Sequence, residues 1–164
     1  MQKCIGFIGI NKKISQKLKS KNLNIHFGGT FTSNPISMYS ANETLKFIIK
    51  NRIKIFNKIN KMSEKFQSEI NTFCIDRKLD IRVYKFYSML RIIYSNKDIK
   101  NRSQRDQVES SKDVKILNFK NFLMKKGIFY PNNGIIFFSY QSSYKNFNYL
   151  INIFKIGLKR YFNF

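Results

Sequence analysis

The sequence predicts an α/β fold in which a small, mostly antiparallel sheet is packed against helices and is preceded by a long helix. In residues 35–73 apolar side chains recur every three or four positions, which is typical of an amphipathic helix. Residues 81–86 and 89–94 are rich in β-branched and aromatic side chains and predict two strands. Two later helical patterns, at 112–126 and after Ser143, would cover that sheet.

The amino-terminal part predicts a strand at residues 5–10, a short helix at 12–18 and then the long helix. Helices longer than about 25 residues without internal caps are unusual in globular domains, so we expect a break near Asn51. The apolar positions of the long helix, which we expect to be buried, are Leu45, Ile49, Ile53, Phe56, Ile59, Met62, Phe66, Ile70 and Phe73.

The carboxyl-terminal part predicts a loop, two helices and two short strands. Residues 95–111 are charged and nearly free of apolar side chains, and they predict a long exposed loop. The helix at 112–126 would end at Gly127, a natural carboxyl-terminal cap. Strands at 128–130 and 135–140 would be joined by a turn at 131–134, and Ser142 or Ser143 would cap the last helix.

The composition is strongly basic. Lys and Arg number 31 against 9 Asp and Glu, a formal charge of +22, which is a first indication of a nucleic-acid or anionic-membrane partner. The basic residues are spread along the whole chain, however, and the single alanine among many Lys, Asn, Ile, Phe and Tyr is also what A/T-rich codons produce. No apolar stretch of about 18 residues and no signal-peptide pattern is present, so we expect a cytoplasmic protein with no membrane partner.

Metal and nucleophile sites find little support in the sequence. Cys4 and Cys74 lie far apart, and His26 is the one histidine. We therefore expect no metal site and no catalytic triad, with both thiols reduced and structural.

The run HFGGTFTSNPISM, residues 26–38, joins a glycine turn to a helix start. Gly28 and Gly29 have no Cβ, so their backbone amides can approach an anion, and Thr30 adds a hydroxyl donor. Thr32, Ser33 and Asn34 offer capping oxygens, and Pro35 suits the first helical position. The turn is therefore either a phosphate-binding turn at a helix amino terminus or an ordinary loop before a well-capped helix.

This run resembles the segment GGT-F-S-x-N-P-L-A-M of class-III, fold-type-I aminotransferases, among which the glutamate-1-semialdehyde 2,1-aminomutases are the most similar. Residues 5–14, 88–93, 123–131 and 135–150 resemble further motifs of that family in the same order. In residues 88–93 the family motif is written G-S-M-x-x-x-F, and in 123–131 it is L-x-x-G-V-Y-x-x-P.

The resemblance implies the carboxyl-terminal small domain of an enzyme that moves an amino group through a Schiff base of pyridoxal 5′-phosphate (PLP). It implies that Gly29 and Thr30 bind the cofactor phosphate in the active site of a neighbouring subunit. It also implies an amino-acid or amino-ketone substrate and a homodimer, or else pairing with a separate amino-terminal chain.

The same resemblance divides the chain into a remnant of the large domain (1–34), a connecting helix (35–78) and a small α/β domain (79–164). The Schiff-base lysine would fall before Met1, so we expect a carboxyl-terminal fragment that is inactive by itself and carries no catalytic residue.

Other candidate residues have plain structural interpretations. Arg91 could meet a substrate carboxylate, but a surface or paired arginine is the simpler expectation. Arg102, Arg105 and Asp106 are expected to form a solvated charge cluster, His26 a partly exposed ring, and Met62, Met89 and Met124 core filling. The alternative function is a basic nucleic-acid- or ribosome-associated α/β protein.

Overall fold

The computed structural model describes residues 11–19, 34–109, 114–131 and 134–162. The chain divides into two compact units, Met1–Arg52 and Ile53–Phe164. The elements, in chain order, are α1 (Lys12–Lys19), α2 (Pro35–Asp76), β1 (Arg82–Phe86), β2 (Met89–Ile93), α3 (Arg102–Glu109), α4 (Val114–Lys125), β3 (Ile135–Phe137) and α5 (Tyr144–Phe162). The predicted strand at 5–10 lies outside the described residues.

Helix α2 begins where the sequence predicts and is longer than predicted. The Asn34 side chain accepts a hydrogen bond from the Ser37 amide at 3.1 Å, which makes Asn34 the amino-terminal cap before Pro35. The helix then runs 42 residues without the predicted break. At Asn51 the side-chain amide donates to the carbonyl of Phe47 at 2.9 Å, so this residue bonds within the helix rather than ending it.

The sheet has three antiparallel strands in the order β1-β2-β3, which confirms the predicted fold class. The β1–β2 hairpin turns through Tyr87 and Ser88 and pairs Phe86 with Met89. Strand β3 pairs Met89 with Phe137 on the other side of β2. The predicted strand at 128–130 is wrong, because Ile128 bonds back to Leu123 at the end of α4 instead of joining the sheet.

Side chains of α2 close the free edge of β1. The Val83 amide donates to the side-chain oxygen of Asn71 at 2.7 Å. The Val83 carbonyl accepts from the side-chain amides of Asn71 and Gln67, both at 3.0 Å. An edge strand whose outward groups are already bonded is a poor template for further pairing.

The core lies between the sheet and helices α2, α4 and α5, and aromatic rings dominate it. The ring of Phe154 makes edge-to-face contacts with Phe66 at 5.3 Å and Phe119 at 5.5 Å. Met62 is buried as predicted, whereas Met89 and Met124 are exposed. The prediction that all three methionines fill the core is therefore wrong for two of them.

The first half of α2 departs from the predicted burial. Leu45, Ile49, Ile53 and Phe56 belong to the predicted buried face, yet Ile49 and Ile53 are each 69% exposed. A hydrophobic pattern tells which face of a helix prefers to be covered, but it does not supply the element that covers it.

Residues 95–111 contain a helix, so the prediction of a continuous loop is wrong. Helix α3 begins after Asn101, whose side chain accepts from the Gln104 amide at 3.0 Å. Arg102 pairs with Asp106 one turn later at 3.4 Å. Capping and charge pairs hold this helix, and apolar periodicity does not reveal either.

Helix α4 ends with the predicted cap at Gly127, and α5 begins after one of its two predicted caps. Gly127 has a φ of 74° and its amide donates to the carbonyl of Met124, while Ile128 donates to Leu123, which is a Schellman motif. Ser143 caps α5 by accepting from the Asn146 amide at 3.1 Å. The helices pack closely at Gly157, where a Cβ atom would lie 2.7 Å from the Phe119 ring.

Candidate functional site

The start of α2 is the described part of the predicted phosphate site. Asn34 and Pro35 occupy the capping and first helical positions. The predicted phosphate-binding residues Gly29 and Thr30 lie outside the described residues, as do Gly28 and His26. The structure therefore fixes the helix toward which the turn leads and leaves the role of the turn a prediction.

The helix start itself allows a limited test of whether a phosphate group fits. Pro35 has no amide hydrogen, and the Ser37 and Met38 amides are bonded to Asn34. The Ile36 amide is the remaining donor of the first turn, and that turn holds no acidic residue to repel an anion. The described residues are thus compatible with a phosphate whose main ligands precede Asn34.

Arg91 lies in the middle of β2, opposite Tyr84 on one side and Ile135 on the other. It is half-buried and engaged in an interaction. This agrees with the expectation of a paired arginine.

The predicted charge cluster of Arg102, Arg105 and Asp106 is present on α3. The Asp106 carboxylate accepts from Arg105 Nε at 3.0 Å and pairs with Arg102 at 3.4 Å. The hydrogen bond from Arg105 keeps the pKa of the Asp106 carboxyl below its usual value. Asp106 is exposed, so the cluster is a solvated surface feature.

An ion-pair cluster between α2 and α5 was not predicted from the sequence. The Lys155 ammonium donates to the Glu69 carboxylate at 2.6 Å, and Lys65 lies 3.7 Å from the other oxygen. The hydrogen bond from Lys155 lowers the pKa of Glu69. The i,i+4 spacing of Lys65 and Glu69 is a local signal, but nothing local in the sequence indicates Lys155.

Three further observations concern metal binding, the Cys74 thiol and membrane-spanning helices. No three His, Cys, Asp or Glu side chains of the described ranges come close enough to hold a metal ion. Cys74 is fully buried, and burial raises the pKa of its thiol to about 11, so it is protonated at neutral pH. None of the described helices is both long and apolar enough to cross a membrane.

Comparison of the sequence with known proteins finds glutamate-1-semialdehyde 2,1-aminomutases. That of Wigglesworthia glossinidia brevipalpis is 30% identical over 120 residues, which cover 73% of this chain and 25% of that protein. That of Nitrosopumilus maritimus is 25% identical over 157 residues, or 94% of this chain and 36% of that protein. The chain thus spans between a quarter and about a third of the length of these relatives. No protein-family model matches it.

Comparison of the structure finds PLP-dependent aminotransferase folds. A β-phenylalanine aminotransferase from Variovorax paradoxus matches with a TM-score of 0.75 over 93% of this chain and 34% of that chain, at 12% sequence identity. At such identity the match shows the fold alone. The three-stranded sheet with its helices corresponds to the carboxyl-terminal part of fold-type-I aminotransferases.

Sequence and structure comparisons agree, and neither supports the nucleic-acid-binding alternative. The chain is a relative of the class-III, PLP-dependent aminotransferases, similar in sequence to glutamate-1-semialdehyde 2,1-aminomutase and in fold to the carboxyl-terminal part of these enzymes.

Proposed function

We propose that this chain forms the carboxyl-terminal part of a PLP-dependent aminotransferase or aminomutase active site. In this proposal residues 1–34 belong with the large domain, 35–78 form the connecting helix and 79–164 form the small domain. The observation that carries the proposal is that a 30% identical relative and the structural neighbours indicate the same enzyme family over most of the chain.

The role that we assign to Gly29 and Thr30 is to hold the phosphate group of PLP. Backbone amides at glycine and a threonine hydroxyl are suitable donors to a phosphate, and a capped helix starting at Pro35 adds the positive end of its dipole. The cofactor, when bound, supplies the electron sink for amino-group transfer. The chain's own contribution is binding and orientation.

The proposed substrate is an amino acid or an amino-ketone, and the proposed assembly is a homodimer or a complex with a separate amino-terminal chain. In either assembly the phosphate turn would complete the active site of a neighbouring subunit. The lysine that bonds PLP would come from the large domain, so the chain alone is expected to give no turnover.

The test is a chimera in which this chain replaces the matching carboxyl-terminal quarter of the Wigglesworthia aminomutase. The chimera is expected to bind PLP and to retain measurable aminomutase activity, whereas the isolated chain with PLP shows neither activity nor the absorbance of a lysine-bound cofactor. The aminomutase shortened by the same quarter is the control.

A chimera that is folded by circular dichroism and gel filtration but binds no PLP contradicts the proposal. Turnover by the isolated chain contradicts the assignment of the PLP-bonding lysine to another segment.

A further inference from the structure

Helix α2 carries two rows of apolar side chains on neighbouring sides. The inner row, which includes Ala41, Ile55 and Met62, is buried. The second row lies about a quarter of a turn further round the helix, because successive residues of a helix are about 100° apart. We call this second row the outer stripe, and it consists of Met38, Leu45, Ile49, Ile53 and Phe56.

The outer stripe is exposed along its whole length. Ile49 and Ile53 are each 69% exposed, and Met38 and Phe56 are 52% and 53% exposed. Its members follow one another at intervals of three, four or seven residues, which is the spacing by which an amphipathic helix binds in an apolar groove. A contiguous row of exposed apolar side chains of this kind marks an interaction site.

The opposite side of α2 shows which way the helix faces. Lys50, Lys54 and Lys61 are exposed there, and their ammonium groups are costly to remove from water. Helix α2 therefore presents one side to its own core, one side to water, and the outer stripe to a surface that the described residues do not supply.

The length of the relatives indicates what that surface is. The chain spans 25% of one aminomutase and 36% of the other, so 75% and 64% of these proteins have no counterpart in it. In the proposed function this remainder is the large domain, and residues 1–34 belong with it. The outer stripe begins at Met38, four residues after the cap Asn34, so it lies at the end of α2 that adjoins the large domain.

We propose that the outer stripe of α2 is the surface on which the large domain of the enzyme docks. This inference rests on the proposed function, which supplies the large domain as the partner. Docking along the outer stripe holds the amino-terminal half of α2 against the domain that carries the PLP-bonding lysine. The phosphate turn directly precedes that half, so the outer stripe positions Gly29 and Thr30 for the cofactor.

The test compares the accessibility of the outer stripe in the isolated chain and in the chimera with the Wigglesworthia aminomutase. The single variants Ile49→Cys and Ile53→Cys are labelled with a maleimide, and mass spectrometry of the labelled peptide follows the rate at each position. Both positions are expected to react rapidly in the isolated chain and about tenfold or more slowly in the chimera. Ile156→Cys, at an exposed isoleucine of α5, is the matched control and should react equally fast in both.

The outcomes separate this inference from the proposed function. A folded chimera in which Ile49→Cys reacts as fast as in the isolated chain overturns the inference, and if that chimera binds PLP the proposed function stands. A chimera that protects the outer stripe but binds no PLP supports the docking surface and contradicts the proposed function. Equal slowing at Ile156→Cys overturns the inference, because the protection would not be specific to the outer stripe. Slow labelling in the isolated chain, together with a dimer in sedimentation experiments, assigns the outer stripe to a second copy instead.

A second measurement does not need a folded chimera. The chain is mixed with the shortened aminomutase, and their association is followed by analytical ultracentrifugation. The wild-type chain is expected to bind, and Ile49→Gln combined with Ile53→Gln should weaken binding by about tenfold or more, whereas Ile156→Gln should leave it unchanged. No binding by the wild-type chain, or unchanged affinity in the double variant, contradicts the inference.

Discussion

Replacing Asn71 by alanine tests how the sheet is attached to α2. The Asn71 side chain accepts from the Val83 amide at 2.7 Å and donates to the Val83 carbonyl at 3.0 Å. Val83 is buried, so in the variant its N–H loses its partner where water does not easily replace it. Its carbonyl keeps the bond from Gln67.

The magnitude follows from these contacts. Two net hydrogen bonds of about 1 kcal/mol each are lost, and the stranded N–H adds about 1–3 kcal/mol. Alanine recovers about 0.5 kcal/mol of helix propensity. We therefore expect Asn71→Ala to lower the free energy of unfolding by about 2.5–4.5 kcal/mol, which moves the urea midpoint down by roughly 1–2 M.

Urea unfolding followed by far-ultraviolet circular dichroism measures this loss. Asn152→Ala, at an exposed position of α5, is the control and should change stability by less than about 0.5 kcal/mol. Gln67→Ala removes one of two donors to the same carbonyl and should cost about 1 kcal/mol. If Asn71→Ala is no more destabilising than the control, the edge closure that we describe does not hold the sheet.

Three further predictions concern packing, backbone strain and pH. Gly157→Ala places a methyl group 2.7 Å from the Phe119 ring and should destabilise the chain by about 1–3 kcal/mol in the same urea assay. Tyr87→Gly relieves a positive φ and should raise the free energy of unfolding by up to about 1 kcal/mol, seen as a higher thermal midpoint. Burial raises the pKa of the Cys74 thiol from 9.0 to about 11, so this thiol ionises at lower pH in the unfolded chain than in the folded chain. The free energy of unfolding should therefore be unaffected by this group below pH 9 and should fall by up to about 2 kcal/mol as the pH rises toward 11.

Each of these three predictions has a control variant or a matched measurement. Lys159→Ala, on the exposed side of α5, should leave stability unchanged where Gly157→Ala lowers it. Ser88 is the other residue of the hairpin turn and has no positive φ, so Ser88→Gly should not stabilise the chain. In Cys74→Ala the part of the pH 9–11 slope due to this thiol should disappear, and an identical slope would contradict the buried-thiol explanation.

Elements with a strong apolar period or a capping residue could be predicted from the sequence. The start of α2 follows from Pro35 and the capping candidates before it, the end of α4 follows from Gly127, and the two strands of the hairpin follow from two β-rich runs. These signals involve residues that are close together in the sequence, so they can be recognised without knowledge of the tertiary structure.

The sequence-based predictions failed where a feature depends on a residue far away in the chain, or on polar rather than apolar side chains. Helix α3 is held by Asn101 and charge pairs, which apolar periodicity does not register. The ion pair of Glu69 with Lys155 joins residues 86 positions apart. Ile49 and Ile53 lie on a good apolar face, but burial needs a second surface, which a pattern on one helix cannot supply.

The most direct measurement of the central claim is the dissociation constant of PLP for the chimera with and without Thr30→Val. A hydroxyl donating to a phosphate is worth about 1.5–3 kcal/mol, so its loss should weaken binding by roughly 10- to 100-fold. Ser33→Ala, a neighbouring hydroxyl to which we assign no phosphate contact, should leave the constant unchanged. Equal PLP affinity in the Thr30→Val and unaltered chimeras would contradict the claim that this turn holds the cofactor phosphate.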